Sequence, residues 1–322
     1  MPYLKDASMN NLGYACINVT LSDCPKDKRI TTNRSMIRAT FDKKGLAYAS
    51  ELSLQNIQDM LPILRWNVKN NIHFFRVSSN LFPWASEYSL ESLPDYAKIL
   101  STAQSIGRYV SDNGIRLTFH PGPFNKLASS SEGVIANTIK DLEIHGAIFD
   151  MMGLSRTPYN KINIHVGAAY DSKELALDQF CRNFERLSDS VKSRLTVEND
   201  DRPALYSTHE LYDGIYKKIG IPIVFDYHHH RFRNDGESEL EALEVAMSTW
   251  GDVRPVVHYS ESRSDEISDR KIAPNAHSDY IYNQINTYDK DIDIMIEAKM
   301  KELALLKYRS KFHGVQNDQN RS

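Results

Sequence analysis

The chain has 322 residues, 41% hydrophobic and 25% charged, with a formal net charge of −3. That length and balance suit one large soluble α/β domain that buries its core without disulfide staples. No run approaches the roughly 18 apolar residues of a membrane span. The first residues, Met1-Pro-Tyr-Leu-Lys-Asp6, lack an apolar signal-peptide core, and Cys16, Cys24 and Cys181 show no CxxC spacing. The reading is a cytoplasmic protein of a reducing compartment.

In chain order, eight short segments rich in Val, Ile, Phe, Thr and Tyr read as buried strands. They are Leu12–Asn18, His73–Ser79, Arg116–Pro121, Lys161–Gly167, Arg194–Asp200, Ile221–His229, Pro255–Ser260 and Asp291–Ala298. Between them run stretches of helical period. Leu54, Ile57, Met60, Leu61 and Leu64 form one stripe with Ser53 as its expected cap, and Ile99, Ala103, Ile106, Tyr109 and Val110 form the next. Further helices are expected over Glu132–Met152, Ser172–Ser190, Ser207–Lys218, Glu239–Trp250, His277–Asn286 and Glu297–Lys311. Strand and helix thus alternate as in a (β/α)8 TIM barrel, one domain over residues 1–310, followed by a polar tail over 311–322. No glycine-rich dinucleotide or P-loop signature is present.

The first connection, from Asn18 to Ser53, is far longer than a usual βα loop. Over residues 26–44 it carries Lys26, Lys28, Arg29, Arg34, Arg38, Lys43 and Lys44 against Asp27 and Asp42, seven basic residues to two acidic. At a barrel mouth such a segment grips a polyanion; its alternative is a solvated insertion. The basic helix bearing Lys299, Lys301, Lys307, Arg309 and Lys311 falls on the outer ring by topology, and Phe82 and Trp84 read as a plug under their loop.

The strand ends carry the chemistry. His120, His165, Glu198, Asp226, His229, His258 and Glu297 all fall at the ends of expected strands, where a βα-barrel builds its active site. Taken singly, each has a bland reading as a hydrogen-bonded core residue. Together, imidazoles and carboxylates converging on one face need a cation to offset their desolvation. Imidazole and carboxylate without thiolate suit Mn²⁺ or Zn²⁺, with Mg²⁺ a further candidate. This many ligands suits two or three divalent ions, with Glu198 placed to bridge and His120 and His165 beside it. Such a centre hydrolyses phosphodiesters by in-line displacement.

An ordered set of motifs then resembles the UV damage endonuclease family, related in fold to endonuclease IV. They are Leu12-Gly-Tyr-Ala-Cys-Ile-Asn18, Phe74-Phe-Arg-Val-Ser-Ser79, Phe119-His-Pro-Gly122, Ile164-His-Val-Gly167, Val197-Glu-Asn-Asp200, Phe225-Asp-Tyr-His-His-His230, His258-Tyr-Ser260, Asn275-Ala-His-Ser-Asp-Tyr280 and Met295-Ile-Glu-Ala-Lys299. The resemblance implies a multinuclear site, often of manganese, and incision of damaged double-stranded DNA immediately 5′ to cyclobutane pyrimidine dimers or 6-4 photoproducts, leaving a 3′ hydroxyl. It implies no membrane and no obligate protein partner, and action at the nucleoid. It adds His277 to the ligands and assigns Tyr14, Asn18, Pro123 and Phe124 to the DNA.

Three positions depart from the family pattern. Pro123-Phe124 stands for Gln-Tyr, Val256 for a lysine near the metals, and Glu87 for a histidine, leaving Glu87 either a polar role near the cluster or a place on the loop. Two rival readings follow from the ligand set and the departures. One is a metal-dependent sugar isomerase or epimerase; the other is a non-catalytic barrel that binds damaged DNA.

Overall fold

The computed structural model describes residues 11–25, 28–169, 172–267 and 271–313. Its strands are β1 Leu12–Ala15, β2 Phe74–Arg76, β3 Arg116–Thr118, β4 Ile162–Ile164, β5 Leu195–Glu198, β6 Ile223–Asp226, β7 Val256–Tyr259 and β8 Asp293–Ile296. They pair in parallel in the order β3-β2-β1-β8-β7-β6-β5-β4, and a bridge between Phe119 and Ile162 joins the two edges. The expected (β/α)8 barrel is the observed fold.

Alternation of side chains sorts each strand into an outer and an inner face. Outward residues such as Phe75, Leu117, Ile164, Val197, Phe225, Val257 and Ile294 join the main core beneath the helices. Inward residues Ala15, Phe74, Val224, Val256 and Met295, with Trp250, form a separate apolar plug inside the barrel. Arg116 and Asp293, the first residues of β3 and β8, meet at 2.9 Å in a fully buried ion pair at the N-terminal end.

The helices are α1 Val19–Ser22, α2 Arg38–Lys69, α3 Tyr96–Asp112, α4 Glu132–Met151, α5 Lys173–Phe184, α6 Asp189–Lys192, α7 Thr208–Leu211, α8 Lys217–Ile219, α9 Tyr227–Phe232, α10 Glu239–Ser248, α11 Arg263–Ile267 and α12 Lys301–Phe312. Capping boxes at Ser207 and Ser238 start α7 and α10 where the sequence places them. A π-turn over Tyr212–Tyr216 joins α7 to α8.

Three expectations are corrected. Helix α2 begins at Arg38, with a kink at Gly45 (φ 63°), and Ser53 lies inside it, its hydroxyl donating back to Ala49 O at 2.7 Å rather than capping. No helix forms over 277–286, because Glu261 takes the backbone N–H groups of Tyr282 and Asn283 at 3.0 and 2.9 Å. The polar tail expected from residue 311 begins as helix through Phe312, and residues 314–322 lie outside the described residues, as do Lys26 and Asp27. No described helix is long and apolar enough to cross a membrane.

Candidate metal centre at the barrel mouth

Parallel strands deliver their C-terminal residues to one rim. His120 and His165 follow β3 and β4, Glu198 ends β5, His258 lies near the end of β7, and Glu297 follows β8. Asp226 ends β6 and caps α9, accepting the His229 backbone N–H at 2.8 Å, so His229 arrives on the first helical turn rather than on the strand expected to run that far. His277 comes from the β7–β8 connection, where it bridges Ser262.

Glu198, 1% exposed, is the centre of the group. Its Oε2 stands 3.0 Å from His120 Nε2, 3.1 Å from His258 Nδ1 and 3.9 Å from His165 Nε2, while Oε1 lies 3.4 Å from His229 Nδ1. His258 Nδ1 is also 3.2 Å from Glu297 Oε1. Three trios have donor atoms within 4.8 Å of one another: His120–His165–Glu198, Glu198–Asp226–His229 and Asp226–His258–Glu297. Glu198 and Asp226 are each shared by two of them. His277 belongs to none, but its Nδ1 lies 2.8 Å from Glu297 O, which leaves Nε2 free.

Several polar atoms of this cluster have no hydrogen-bond partner. Glu198 Oε1, Asp226 Oδ2, His165 Nδ1 and His258 Nδ1 are buried and unpaired, although His165 Nδ1 lies 3.2 Å from Asp200 Oδ1. Buried groups left this way cost free energy unless a ligand or ion satisfies them. Imidazole nitrogens and carboxylate oxygens converging with buried atoms left unpaired are the donor set a divalent cation uses, so the residues fit the metal.

The electrostatics agree. Burial works against ionising Glu198, but His258, His165 and His120 outweigh it and hold the carboxylate well below its usual range. Burial pushes Asp226 up to about 7. It also opposes protonation of His165, yet Glu198, Asp200 and Asp226 raise that imidazole to about 10. Burial lowers His258 to about 4. Metal-free, the cluster retains protons that bound cations displace.

Four further residues at the centre escaped the sequence reading. Arg76, from the end of β2, forms an ion pair with Glu297. Asn163 donates its amide to Glu198 and accepts from the Thr196 hydroxyl at 2.7 Å. Asp200 lies beside His165, and Lys161 Nζ is 3.1 Å from His258 Nε2. The available signal was period two: Lys161, Asn163 and His165 share one face of β4 and its flanks.

The sequence pattern of the UV-endonuclease UvdE family matches residues 10–320. The chain belongs to this family. It is 35% identical over 304 residues to a UV-damage endonuclease of Schizosaccharomyces pombe, covering 91% of this chain but 49% of that relative's length. The crystal structure of SacUVDE superimposes with a TM-score of 0.80 at 30% identity, covering 95% of this chain and 98% of that one. An L-ribulose 3-epimerase shares the fold, with a TM-score of 0.54 at 12% identity, covering 96% of this chain and 89% of that one.

Around the UvdE-family centre, Pro123 and Phe124 are exposed on the loop just after His120, Phe124 by 86%. Tyr14 and Asn18 are both fully buried. Tyr14 faces outward from β1, fully buried, its hydroxyl donating to Asn67 Oδ1 at 2.6 Å and accepting from Asn18 Nδ2 at 2.9 Å. In this arrangement the pair ties the end of β1 to α2. Glu87 reaches Arg38 at 3.3 Å rather than the cluster. Phe82 is buried as expected, and Trp84 donates Nε1–H to Met36 O at 2.9 Å, under the side chain of Arg38. Val256 belongs to the apolar plug.

The basic connection divides in two. Arg34 is structural, bound to Asp59 at 2.7 Å and to the carbonyls of Thr31 and Arg29. Lys28, Arg29, Arg38, Lys43 and Lys44 are exposed. On α12, Arg309 and Lys311 are tied to the carbonyls of Asn70, Asn71 and Tyr282.

Proposed function

We propose that this chain is a metal-dependent DNA repair endonuclease that hydrolyses the phosphodiester immediately 5′ to a UV photoproduct, cyclobutane pyrimidine dimers and 6-4 photoproducts included, and leaves a 3′ hydroxyl. The observation that carries it is the buried Glu198 carboxylate, met by four imidazoles at an open barrel mouth and bearing an oxygen no hydrogen bond satisfies. His120, His165, Glu198, Asp226, His229, His258, His277 and Glu297 hold two or three divalent ions, Mn²⁺ ahead of Zn²⁺ and Mg²⁺ on the mixed nitrogen and oxygen donors. Bound ions of this kind acidify a water and neutralise charge on the attacking and leaving oxygens.

The chain's own residues do the rest. Glu198 spans two of the ligand trios and fixes their spacing. Arg76 neutralises Glu297 from beneath. Phe124, exposed beside His120, offers a stacking face to bases displaced at a lesion, while Pro123 stiffens the loop that carries it. Lys28, Arg29, Arg38, Lys43 and Lys44 meet backbone phosphates, and binding weakens as salt rises. A damaged stack is easier to kink and unstack than an intact one, which supplies selectivity without base-edge contacts. The substrate is damaged double-stranded DNA, and the epimerase likeness extends to the fold alone.

The test is a duplex oligonucleotide with one defined photoproduct, incubated with Mn²⁺ or with EDTA. A single metal-dependent cut just 5′ to the lesion, absent from the undamaged duplex, is expected. Lesion-selective binding without a cut would make the chain a recognition barrel. Neither binding nor cutting, with metal-dependent turnover of free sugars, would move it to the isomerases.

A further inference from the structure

We infer that Lys161 is the positioning residue for His258: its Nζ holds Nε2 of the ring and thereby aims Nδ1 at the Glu198–Glu297 carboxylates. This rests on the reading of His258 as a metal ligand.

Lys161 is 0% exposed, and Nζ lies 3.1 Å from His258 Nε2 with no other hydrogen-bond partner among the described residues. Strands β4 and β7 are separated by β5 and β6 in the barrel. Lys161 therefore reaches His258 across the barrel interior, which requires a long stem with a compact head. Because Nδ1 is the atom offered to the cation, Nε2 keeps the ring proton and donates it to the neutral Nζ amine. Burying such a group without purpose is costly, and a buried lysine with one partner marks an interaction that specifies geometry.

The ring it holds has no other hydrogen-bond partner among the described residues. Nδ1 stands 3.1 Å from Glu198 Oε2 and 3.2 Å from Glu297 Oε1 but is hydrogen-bonded to neither. Nothing on β7 itself restrains the ring from below: Val256, the inward residue two positions earlier, is part of the apolar plug. Among the other ligand rings, His229 and His277 are set by backbone carbonyls, Asn199 O at 2.9 Å and Glu297 O at 2.8 Å, and His165 Nδ1 faces the Asp200 carboxylate at 3.2 Å. His258 takes its outer contact from the Lys161 side chain. Outer partners of this kind orient metal-binding imidazoles, and their loss typically lowers metal affinity about 10–100-fold.

The experiment is a Mn²⁺ titration of the full chain, without DNA, comparing the parent with Lys161→Met. Methionine keeps most of the lysine's volume and apolar stem while removing Nζ, so the barrel is expected to fold. The expected result is an affinity lower by about 10–100-fold for one ion, with the remaining ions bound as in the parent. In the metal-free protein, the His258 ring ¹⁵N signals should shift while those of His120 and His229 stay in place. A Met variant that binds every ion as the parent does, with unchanged His258 signals, overturns the inference. If that variant does not fold, Lys161→Gln, whose amide is too short to reach Nε2, undergoes the same titration with the same two outcomes. A parent that binds no Mn²⁺ overturns the metal reading itself, and the inference with it.

Discussion

Two clusters of charge are buried inside this barrel, one at each end, and they are built differently. At the N-terminal end Arg116 donates to Tyr159 O at 2.8 Å, to Arg254 O and Asp293 Oδ2 at 2.9 Å each, and to Pro158 O at 3.2 Å. Asp293 also accepts from Asn11 Nδ2 at 2.9 Å. Guanidinium and carboxylate there satisfy one another. At the mouth, Glu198, Asp226, His165 and His258 each keep a buried atom with no partner. A saturated buried pair fixes a fold; an unsaturated one of ligand type is a site that could hold a cation. The apolar plug of Ala15, Phe74, Val224, Val256 and Met295 insulates one from the other.

That contrast can be broken at either end. The largest effect on stability is expected from Arg116→Met, which leaves Asp293 with Arg254 at 2.8 Å as its remaining cation, strips three carbonyls of their Arg116 donor, and costs about 3–5 kcal/mol. Chemical unfolding would measure it, and incision per folded molecule should be unchanged. At the mouth, Phe124→Ala should alter stability by less than about 0.5 kcal/mol, since the ring is 86% exposed. It should weaken binding to a photoproduct duplex by about 1–3 kcal/mol, read by fluorescence anisotropy. Equal affinities for parent and variant would remove Phe124 from the DNA interface.

The third effect has the least intuitive sign. Asp226 is raised from 3.8 to about 7 by burial. In the metal-free protein its contribution to stability is therefore fully present below pH 3.8 and lost as pH rises through about 7. Asp226→Asn abolishes the ionisation and retains an acceptor for the His229 N–H. Metal-free parent and variant should melt alike near pH 4, with the variant the more stable at pH 8. Added Mn²⁺ should reverse that order, because it stabilises the chain whose carboxylate it binds. A scaffold role for Asp226 predicts the variant to be the less stable at every pH.

The fold was legible because the strands are short apolar runs followed by polar residues, a pattern that by itself puts His120, His165, Glu198 and Glu297 at strand ends. The helix expected over 277–286 was not, because Glu261, distant in sequence, captures its backbone donors. Tyr14 looked like a rim aromatic; its position in the alternation of β1 turns it to Asn67 instead. Lys161 and Arg76 were invisible as site residues because neither type is a metal ligand, and their reach to His258 and Glu297 depends on barrel closure rather than on spacing. Phe124 stands out in the sequence only through the family resemblance, since an exposed aromatic and a core aromatic read alike there.

The most direct test of the central contrast is the number of Mn²⁺ ions retained per chain after equilibrium dialysis, for the parent, Glu198→Gln and Arg116→Met. The account predicts at least two ions for the parent, the same number for folded Arg116→Met, and loss of at least one for Glu198→Gln. A parent that retains none, or a Glu198→Gln variant that retains the parent number, would contradict it.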